Sequence, residues 1–571
     1  MTIEGFGYSR RLLKKAFNAA LYPCMLSILS NCATIIVDGI IVGQRIGTDG
    51  LTAISLCVPA YLVLCVLGSL FVSGTFTVAS NEIGRDNSAA AQRCYGCALS
   101  LCLMSSAVMT VVGLFLSDNI AGLLCNDDKV YRLVMDYLQI TLVGALPTIM
   151  IYIPFWFLRL DGKNKTVTAM LVLMGVVNIV LDMVFMVVLD MGIFGAGLAS
   201  VIATSLACIM GFVRLHTGKT SFCFRFSLPD RDVLKQIMTK GSPAAMNNLM
   251  QTIRLLFVNS ILITYGGKGA VAVFTVVNGI SAFSEAVTTG PPQAASAMLG
   301  IFHGECDNRS AQTTLQLEQR SGMLYCAVFG AIITVCSGLI GKAYGLDEPI
   351  RFPLLCLAVS LFPALWCCIL SGYYTVSGHT VLAGSLVFFR TVLFPVPCLL
   401  VLSRLNGPLW LFLPAGEFLA FGAICAVAGI IRRKKDLSSV LLMDTSLDNN
   451  NIVSLRVTGS KEKISEACEK VTGFCRKNGM EPKQSVRISL ALEEVMALIA
   501  QKNVRPVQFD IRMFYHQETI GIRIRYDGIS LNPLTGREDS DEIMGVAMIR
   551  NMVRSVLYKQ VFGLNSLLIL I

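Results

Sequence analysis

Long apolar segments recur along most of this chain, and they constrain its fold more than any other feature. Runs of roughly 20 apolar residues, separated by short polar breaks, extend from about residue 17 to about residue 431. Each run is long enough to cross a hydrocarbon core of about 30 Å as a helix. Because lipid offers no hydrogen bonds to an open sheet edge, we expect helices. The sequence therefore predicts an all-α polytopic membrane bundle of about twelve transmembrane helices.

The distribution of basic residues predicts the orientation of the bundle. Of the 571 residues 54% are hydrophobic and 15% are charged, with a net charge of +10. About 21 basic residues fall in the breaks on one side and about 7 on the other. Because the basic side faces the cytoplasm, we expect both termini there, in a multi-pass protein of the cell inner membrane surrounded by lipid. This bias explains the net charge, so no nucleic-acid partner is expected.

Cysteine and histidine usage gives no sign of a metal site. Most of the 20 cysteines lie in apolar runs, where a thiol behaves as a small apolar group. With four histidines and no pair of CxxC motifs, zinc binding is not expected. We predict reduced thiols throughout.

Matching segments indicate an internal duplication. A shift of 220 residues places Gly84 and the residues after it on Gly304, and a shift of 216 places Gly162 on Gly378. Repeated landmarks in the same order predict two pseudosymmetric six-helix lobes, as in many transporters. The predicted parts are an N-lobe at 1–213, a cytoplasmic inter-lobe linker at 214–241 and a C-lobe at 242–435.

Two acids lie within apolar runs. Asp182 is near the middle of the run from Met170 to Leu189, and Asn178 shares its helix face one turn earlier. Asp38 lies late in the first run. A carboxylate at membrane depth costs about 2.5 to 3.5 kcal/mol on insertion scales, so it needs a cavity, a partner or a cation. The pair therefore predicts an ion path.

The order of several motifs resembles one transporter family. The motifs are Val37–Ala53, Ile83–Asp86, Leu158–Lys163, Asn178–Asp182 and Gly195–Ser200. Together they resemble the multidrug and toxic compound extrusion (MATE) transporters over about three quarters of the chain. The resemblance implies a secondary active transporter, not an enzyme, that exports organic and usually cationic compounds by antiport with Na⁺ or H⁺. It also implies alternating access of two lobes around a midplane cavity.

The resemblance implies a cation site in the N-lobe. Its residues are Asp38, Asn178, Asp182 and Ser200. Carboxylate, amide and hydroxyl oxygens suit Na⁺, which is expected at Asp38, Asn178 and Asp182, and the same acids can instead carry protons. The choice of ion stays open, no other cofactor is expected, and no residue is predicted to be catalytic.

The C-lobe departs from one branch of the family. That branch places acids in the seventh and tenth spans, and this chain has none there, so a second cation site is not expected. Four charged residues lie within or near C-lobe spans instead: Arg254, Glu285, Arg390 and Glu417. They are interpreted either as interior ion pairs or as contacts to a small organic cation substrate.

The composition changes after Lys435. A polar linker at 436–451 precedes a soluble domain at 452–571, predicted to be an α/β sandwich. Strands are predicted at 452–457, 507–514, 519–525 and 565–571, and helices at 462–477, 485–501 and 541–558.

Three motifs of this domain resemble the GHKL (histidine-kinase-like) ATP-binding fold of anti-sigma-factor kinases. They are Leu490–Val495, Asp527–Leu534 and Gly545–Val553, and they imply a vestigial nucleotide site at Glu494, Asp527, Gly528 and Gly545. Leu498 stands where the family has its Mg²⁺-binding Asn, and a leucine cannot ligate a hard cation. This argues against ATP hydrolysis and favours a catalytically degenerate regulatory domain that senses nucleotide or binds a cytoplasmic regulatory protein.

Two alternative functions stay open at this point. One is a lipid-linked precursor flippase of the wider superfamily; such proteins often carry more basic residues in the central cavity, for which Arg254 and Arg390 are the only obvious candidates here. The other is a signalling receptor, in which a transporter-like bundle senses a ligand and the C-terminal domain transmits the signal.

Overall fold

Helices occupy most of the chain before residue 436 in the computed structural model. The structure describes residues 6–124, 128–217, 222–343, 350–435, 441, 452–503, 506–516, 519–529, 554–561 and 564–571. Helices α1 to α9 are Phe6–Arg45, Thr48–Gly84, Ser88–Phe115, Ser117–Leu124, Asp128–Val143, Ala145–Met150, Tyr152–Leu160, Asn164–Asp182 and Gly192–Thr217. Helices α10 to α17 are Arg231–Thr288, Gly290–Gly304, Asn308–Val335, Ser337–Ala343, Arg351–Val376, Thr380–Phe388, Pro395–Arg404 and Phe412–Lys435. Two π-helical segments, Met183–Val188 and Phe389–Leu393, follow α8 and α15, and a short 3₁₀ turn at Leu409–Leu411 precedes α17.

Ten helical segments in the described part of the chain are long and apolar enough to cross a membrane. The pair Val130–Val143 and Ala145–Leu160, bent by 54°, makes eleven if it forms one span. The count of about twelve is therefore not confirmed. Helix α12 has 28 residues, but Glu318 and Arg320 make its middle polar. The fold is nonetheless mostly helical and multi-pass, as the apolar runs predict.

Backbone turns repeat along the bundle at the spacing of the predicted duplication. Positive φ angles recur in pairs that lie 220, 216 and 216 residues apart: Asp86 with Cys306, Gly162 with Gly378, and Asp190 with Asn406. The helices after the first pair are also capped alike. Asn87 accepts a hydrogen bond from the Ala90 amide, and Asp307 accepts one from the Ser310 amide, each at 3.1 Å. Equivalent turns thus follow equivalent helices, while the lobe boundaries themselves stay predictions.

Helix α2 of the first half packs directly on α10 and α11 of the second. One close approach joins Gly84 at the end of α2 to Gly304 at the end of α11. A Cβ on Gly84 would overlap the Ile301 carbonyl oxygen, and one on Gly304 would overlap the Asn81 carbonyl oxygen. At this end the two halves therefore meet backbone to backbone.

The described residues divide into two compact units, of which the helical bundle from Ala19 to Lys435 is one. The second contains the C-terminal domain. Its strands β1 to β5 are Ile452–Thr458, Gln508–His516, Thr519–Tyr526, Ser555–Val561 and Leu564–Leu570, and its helices α18 and α19 are Lys461–Lys477 and Pro482–Lys502. The strands form one sheet in the order β1-β2-β3-β5-β4, with all neighbours antiparallel.

The core of the C-terminal domain lies between the two helices and one face of the sheet. Helix α18 buries Ile464, Cys468, Val471 and Cys475, a helical spacing that turns one face inward. From the sheet, alternate residues such as Ile522 and Ile524 complete the cluster. The predicted helices at 462–477 and 485–501 and the first three strands agree with this arrangement. The resemblance to the GHKL fold stays a prediction.

One predicted element of this domain is wrong. Residues 555–558 were expected at the end of a helix, but they begin strand β4. Each residue of β4 pairs with β5, from Ser555 opposite Leu570 to Val561 opposite Leu564. This long hairpin is a tertiary constraint that a local pattern does not reveal. Residues 541–553, which the same prediction covered, lie outside the described residues, as does Gly545.

Burial predicts low reactivity for two thiols of the C-terminal domain. Burial raises the pKa of Cys468 to about 12 and that of Cys475 to about 11. At pH 9 only about one Cys468 in a thousand would be thiolate, the reactive form. We expect maleimide to label the exposed Cys223 and to spare both buried thiols from pH 7 to 9, measured by peptide mass spectrometry. Labelling of native Cys468 at the rate of Cys223 would contradict this packing.

Candidate functional site

Helices α1 and α8 bring the first set of predicted residues together. Gly175 of α8 lies against the Thr34 hydroxyl of α1, so the two helices are in close contact. One turn further along α1 comes Asp38, and Asn178 and Asp182 lie on the matching face of α8. Beneath them Ile41 and Val42 of α1 pack on Met186 and Ala196. Local packing therefore places the carboxyl groups of two different helices side by side.

The carboxyl groups of Asp38 and Asp182 are close enough to interact electrostatically. Asp182 has no exposed surface, and Asp38 is half-buried. Among the described residues, no donor of another side chain or of the backbone contacts either oxygen of Asp182 or Oδ1 of Asp38, and the two carboxyl groups lie within hydrogen-bonding reach of each other. Two neighbouring carboxylates in a medium of low dielectric constant repel each other strongly. A cation between them, or a proton on one of them, would remove that repulsion.

Neighbouring helices add uncharged polar groups to this pair. Asn178 donates a hydrogen bond from Nδ2 to the Ser200 hydroxyl of α9 at 3.2 Å. Tyr137 of α5 lies near both carboxyl groups. The structure thus assembles all four predicted residues and adds a tyrosine that sequence reasoning missed. No local pattern marks Tyr137, because its helix reaches the site only through tertiary packing.

The donor set fits a hard monovalent cation or a proton. It consists of carboxylate, amide and hydroxyl oxygens, which are the ligands that hard cations prefer. Among the residues that the structure describes, no cluster of three or more His, Cys, Asp or Glu side chains could hold a metal ion. We call Asp38, Asn178, Asp182, Ser200 and Tyr137 the carboxylate site.

The charged residues of the second half line a cavity of about 450 Å³. Its wall includes all four predicted residues: Arg254, Glu285, Arg390 and Glu417. We call it the Arg254 cavity. Amides and hydroxyls such as Gln251, Gln293 and Ser284 alternate on its wall with apolar groups such as Phe76 and Trp156 of the first half. A cavity of this size and mixed lining suits a drug-sized organic molecule.

Two of the four charged residues form an ion pair. Arg390 lies in the π-helical segment before α16, and its Nη2 and Nε are 2.9 and 3.3 Å from Oε1 of Glu417 on α17. Its Nη1 donates to the Cys368 thiol sulfur at 2.9 Å. These contacts fix the Arg390 guanidinium against the cavity wall. Arg254 and Glu285 form no such pair among the described residues.

A family model described as MatE matches residues 23–184 and 243–400, which make up more than half of the chain. The chain belongs to the MatE family. The carboxylate site lies in helices of the first matched segment, together with α9. The Arg254 cavity is lined largely by the second matched segment and by α17.

Two multidrug proteins and two solved transporter structures resemble this MatE chain. The multidrug export protein MepA of Staphylococcus haemolyticus is 23% identical and covers 75% of this chain and 96% of its own. The probable multidrug resistance protein YoeA of Bacillus subtilis is 22% identical, with the same coverage. A solved outward-facing MATE family transporter of the MOP superfamily and a MOP superfamily transporter from Pyrococcus furiosus have TM-scores of 0.69 and 0.68. Each is 22% identical and covers 76% of this chain and 98% of its own, which shows the fold.

In the C-terminal domain of this MatE protein, two of the predicted nucleotide residues that the structure describes, Asp527 and Glu494, are engaged by other groups or exposed. Asp527 accepts a hydrogen bond from the Gln508 amide at 3.0 Å and forms an ion pair with Lys15 at 3.2 Å. Glu494 is exposed beside Glu493 and Lys461 in a groove of about 310 Å³. Two neighbouring carboxylates would repel the phosphates of ATP. The arrangement gives no support to ATP binding at these residues.

Gly528 lies in the turn after β3, and a substitution at this position tests the packing of the turn. Its φ of 122° is in a region that side chains rarely adopt, and a Cβ would overlap the Asn503 amide, which accepts a hydrogen bond from the Ile529 amide. We expect Gly528→Ala to destabilise the domain by about 1 to 3 kcal/mol. Hydrogen exchange of the full chain should then accelerate in β2 and β3.

Gly473→Ala is the matched control, because nothing lies within 4 Å of a Cβ there and the site is helical. Alanine should be neutral or slightly stabilising at that position. Equal exchange rates in the two variants would refute the strain assigned to Gly528.

Proposed function

We propose that this MatE-family chain exports small organic compounds by exchange with Na⁺ or H⁺ bound at the carboxylate site. The observation that carries the proposal is the pair of Asp38 and Asp182, two buried carboxyl groups that lie close together and that receive no hydrogen bond from the other described residues at either oxygen of Asp182 or at Oδ1 of Asp38. We place the protein in the cell inner membrane with both termini in the cytoplasm, as the basic residues predict. The names of MepA and YoeA support a multidrug range, and we expect the substrate to carry a cationic group.

Coupling requires that ion and substrate prefer different states of the transporter. A bound ligand shifts a conformational equilibrium only through its different affinities for the two states. Asp38 and Asp182 belong to different helices, α1 and α8, so relative movement of those helices would change the distance between their carboxyl groups. A cation or proton that joins the two groups would therefore favour the state in which they are close.

The flippase alternative is less well supported. A lipid-linked precursor carries a strongly anionic diphosphate, which requires an excess of positive charge. In the Arg254 cavity, the two arginines among the described lining residues are matched by two glutamates. The antiporter is therefore the better account of the bundle.

Replacement of Asp182 tests the coupling. We expect Asp182→Asn to lower gradient-driven transport by roughly tenfold or more, because asparagine keeps the shape but can neither ionise nor hold a cation by charge. The measurement is movement of the fluorescent dyes rhodamine 110 and rhodamine 123 in proteoliposomes of wild type and variant. Imposed Na⁺ and proton gradients are applied separately, and the gradient that drives wild-type transport identifies the coupling ion.

Glu318→Gln is the matched control for Asp182→Asn. Glu318 is also fully buried in the bundle, with both carboxyl oxygens unpartnered, but no second ionisable group acts on it. We expect this variant to keep the ion dependence of the wild type. If Asp182→Asn and wild type respond equally to both gradients, the carboxylate site is not the coupling site.

We assign the C-terminal domain a regulatory role, with a cytoplasmic protein as its effector. The support is its separate core and its exposed groove at Glu493 and Glu494. A chain that ends at Lys435 should then keep ion-driven transport in proteoliposomes but lose any response to cytoplasmic extract. Complete loss of transport by a correctly inserted, truncated chain would show that the domain is part of the transport machinery instead.

A further inference from the structure

Among the described residues, a direct ion pair joins two of the four charged groups that line the Arg254 cavity, and Arg254 and Glu285 lie near that pair without contacting it as closely. Arg390 is held by Glu417 and by the Cys368 sulfur. The Nε of Arg254 is buried without a hydrogen-bond partner, and in the described ranges no ion pair joins its guanidinium to a carboxylate. Glu285 is also outside any ion pair there, and its side chain is exposed to the cavity. The wall therefore offers one cationic and one anionic group to a ligand.

The balance of these charges selects among ligands. The Arg390 and Glu417 pair is neutral, and Arg254 and Glu285 cancel each other, so the charged lining has no net charge. A simple cation would leave one uncompensated positive charge beside Arg254. A simple anion would leave one negative charge beside Glu285. Because uncompensated charge is costly inside a membrane bundle, a ligand with both charges is favoured.

The two charged groups lie on different candidate spans of helix α10. Arg254 belongs to Arg231–Gly266, and Glu285 belongs to Gly269–Gly304. A ligand held by both must therefore be a dipolar molecule that contacts two spans. The planar guanidinium binds a carboxylate through two parallel hydrogen bonds, which a lysine cannot reproduce.

Uncharged groups near each anchor fit the same ligand. Gln251 lies one helical turn before Arg254 and also lines the cavity. Eight residues after Glu285, Oε1 of Gln293 on α11 is a buried acceptor without a hydrogen-bond partner among the described residues, and it lines the same cavity. A protonated amine has several N–H donors and can serve both Glu285 and Gln293. Gln251 can thus add a hydrogen-bond donor for an anionic group bound at Arg254, and Gln293 can add an acceptor for a cationic group bound at Glu285.

We propose that the Arg254 cavity recognises zwitterionic organic compounds, with a carboxylate or similar anionic group at Arg254 and a cationic nitrogen at Glu285. This rests on the proposed export function and narrows its substrate to molecules that carry both charges. Lipophilic ions that carry a positive charge alone are poor ligands of the cavity.

Two dyes that differ by one methyl ester test the proposal. Rhodamine 110 has a free carboxylate and is zwitterionic at neutral pH, whereas rhodamine 123 is its methyl ester and is a cation. Binding to the purified full chain is measured by fluorescence anisotropy at equilibrium, without an ion gradient. We expect the wild type to bind rhodamine 110 roughly tenfold tighter than rhodamine 123, the effect of one charge-assisted contact.

The variants separate the two anchors. Arg254→Gln should reduce the preference for rhodamine 110 to about one, and Glu285→Gln should weaken both dyes because both carry the cationic nitrogen. Arg254→Lys keeps the charge and should retain part of the preference, which distinguishes recognition from a structural role. Thermal unfolding of each variant verifies that the bundle is intact.

The proposal is overturned if the wild type binds rhodamine 123 as tightly as rhodamine 110, or fails to bind rhodamine 110. It is also overturned if a folded Arg254→Gln protein keeps the wild-type preference. Because no gradient is applied, these results do not depend on ion coupling. Loss of gradient-driven transport with an intact dye preference would refute the antiport mechanism alone.

Discussion

A charge that moves from water into the membrane interior loses much of its hydration, and the helical bundle is arranged around that cost. Two buried arginines of the bundle are compensated by the protein in different ways. The Arg159 guanidinium lies 4.1 Å from the ring centre of Phe155 and donates to the Ser27 hydroxyl. Arg390 is held by a carboxylate and a sulfur. Asp38 and Asp182 lie beside each other, and a second carboxylate cannot offset the lost hydration of the first unless a cation or a proton is bound between them. The function proposed for the bundle follows from the uncompensated negative charge of Asp38 and Asp182.

The two halves share a backbone but carry different chemistry. Positive φ turns and helix caps recur at the same spacing, so the two halves use the same local geometry to connect their helices. The first half uses that geometry to bring two acids together across α1 and α8. The second half presents two arginines and two glutamates to a cavity. The halves are in contact through the packing of α2 on α10 and α11 and also through α1, which carries Asp38 and whose Cys32 thiol donates to the Ala282 carbonyl oxygen of α10 at 3.3 Å.

The sequence predicts the features that depend on one helix and misses those that depend on several. Apolar runs reveal the helices, because a helix satisfies its own backbone hydrogen bonds in lipid. The spacing of Asn178 and Asp182 places both on one face of α8. Tyr137 and Cys368 could not be predicted, because each reaches its site only through the packing of its helix on others, which the local sequence does not reveal. Strand β4 could not be predicted for a related reason, since its conformation is decided by pairing with β5. The pairing of Arg390 with Glu417, and not with Glu285, likewise needs the geometry of three helices.

The contact between Gly84 and Gly304 has a mechanical consequence. It joins backbone to backbone, with no side chain long enough to follow if the helices separate. Van der Waals attraction of this kind loses roughly a quarter to a half of its strength over a gap of 0.5 to 1 Å. The contact therefore weakens steeply as the two helices separate. Its contribution to the interface between the two halves depends on the two glycine backbones staying within contact distance.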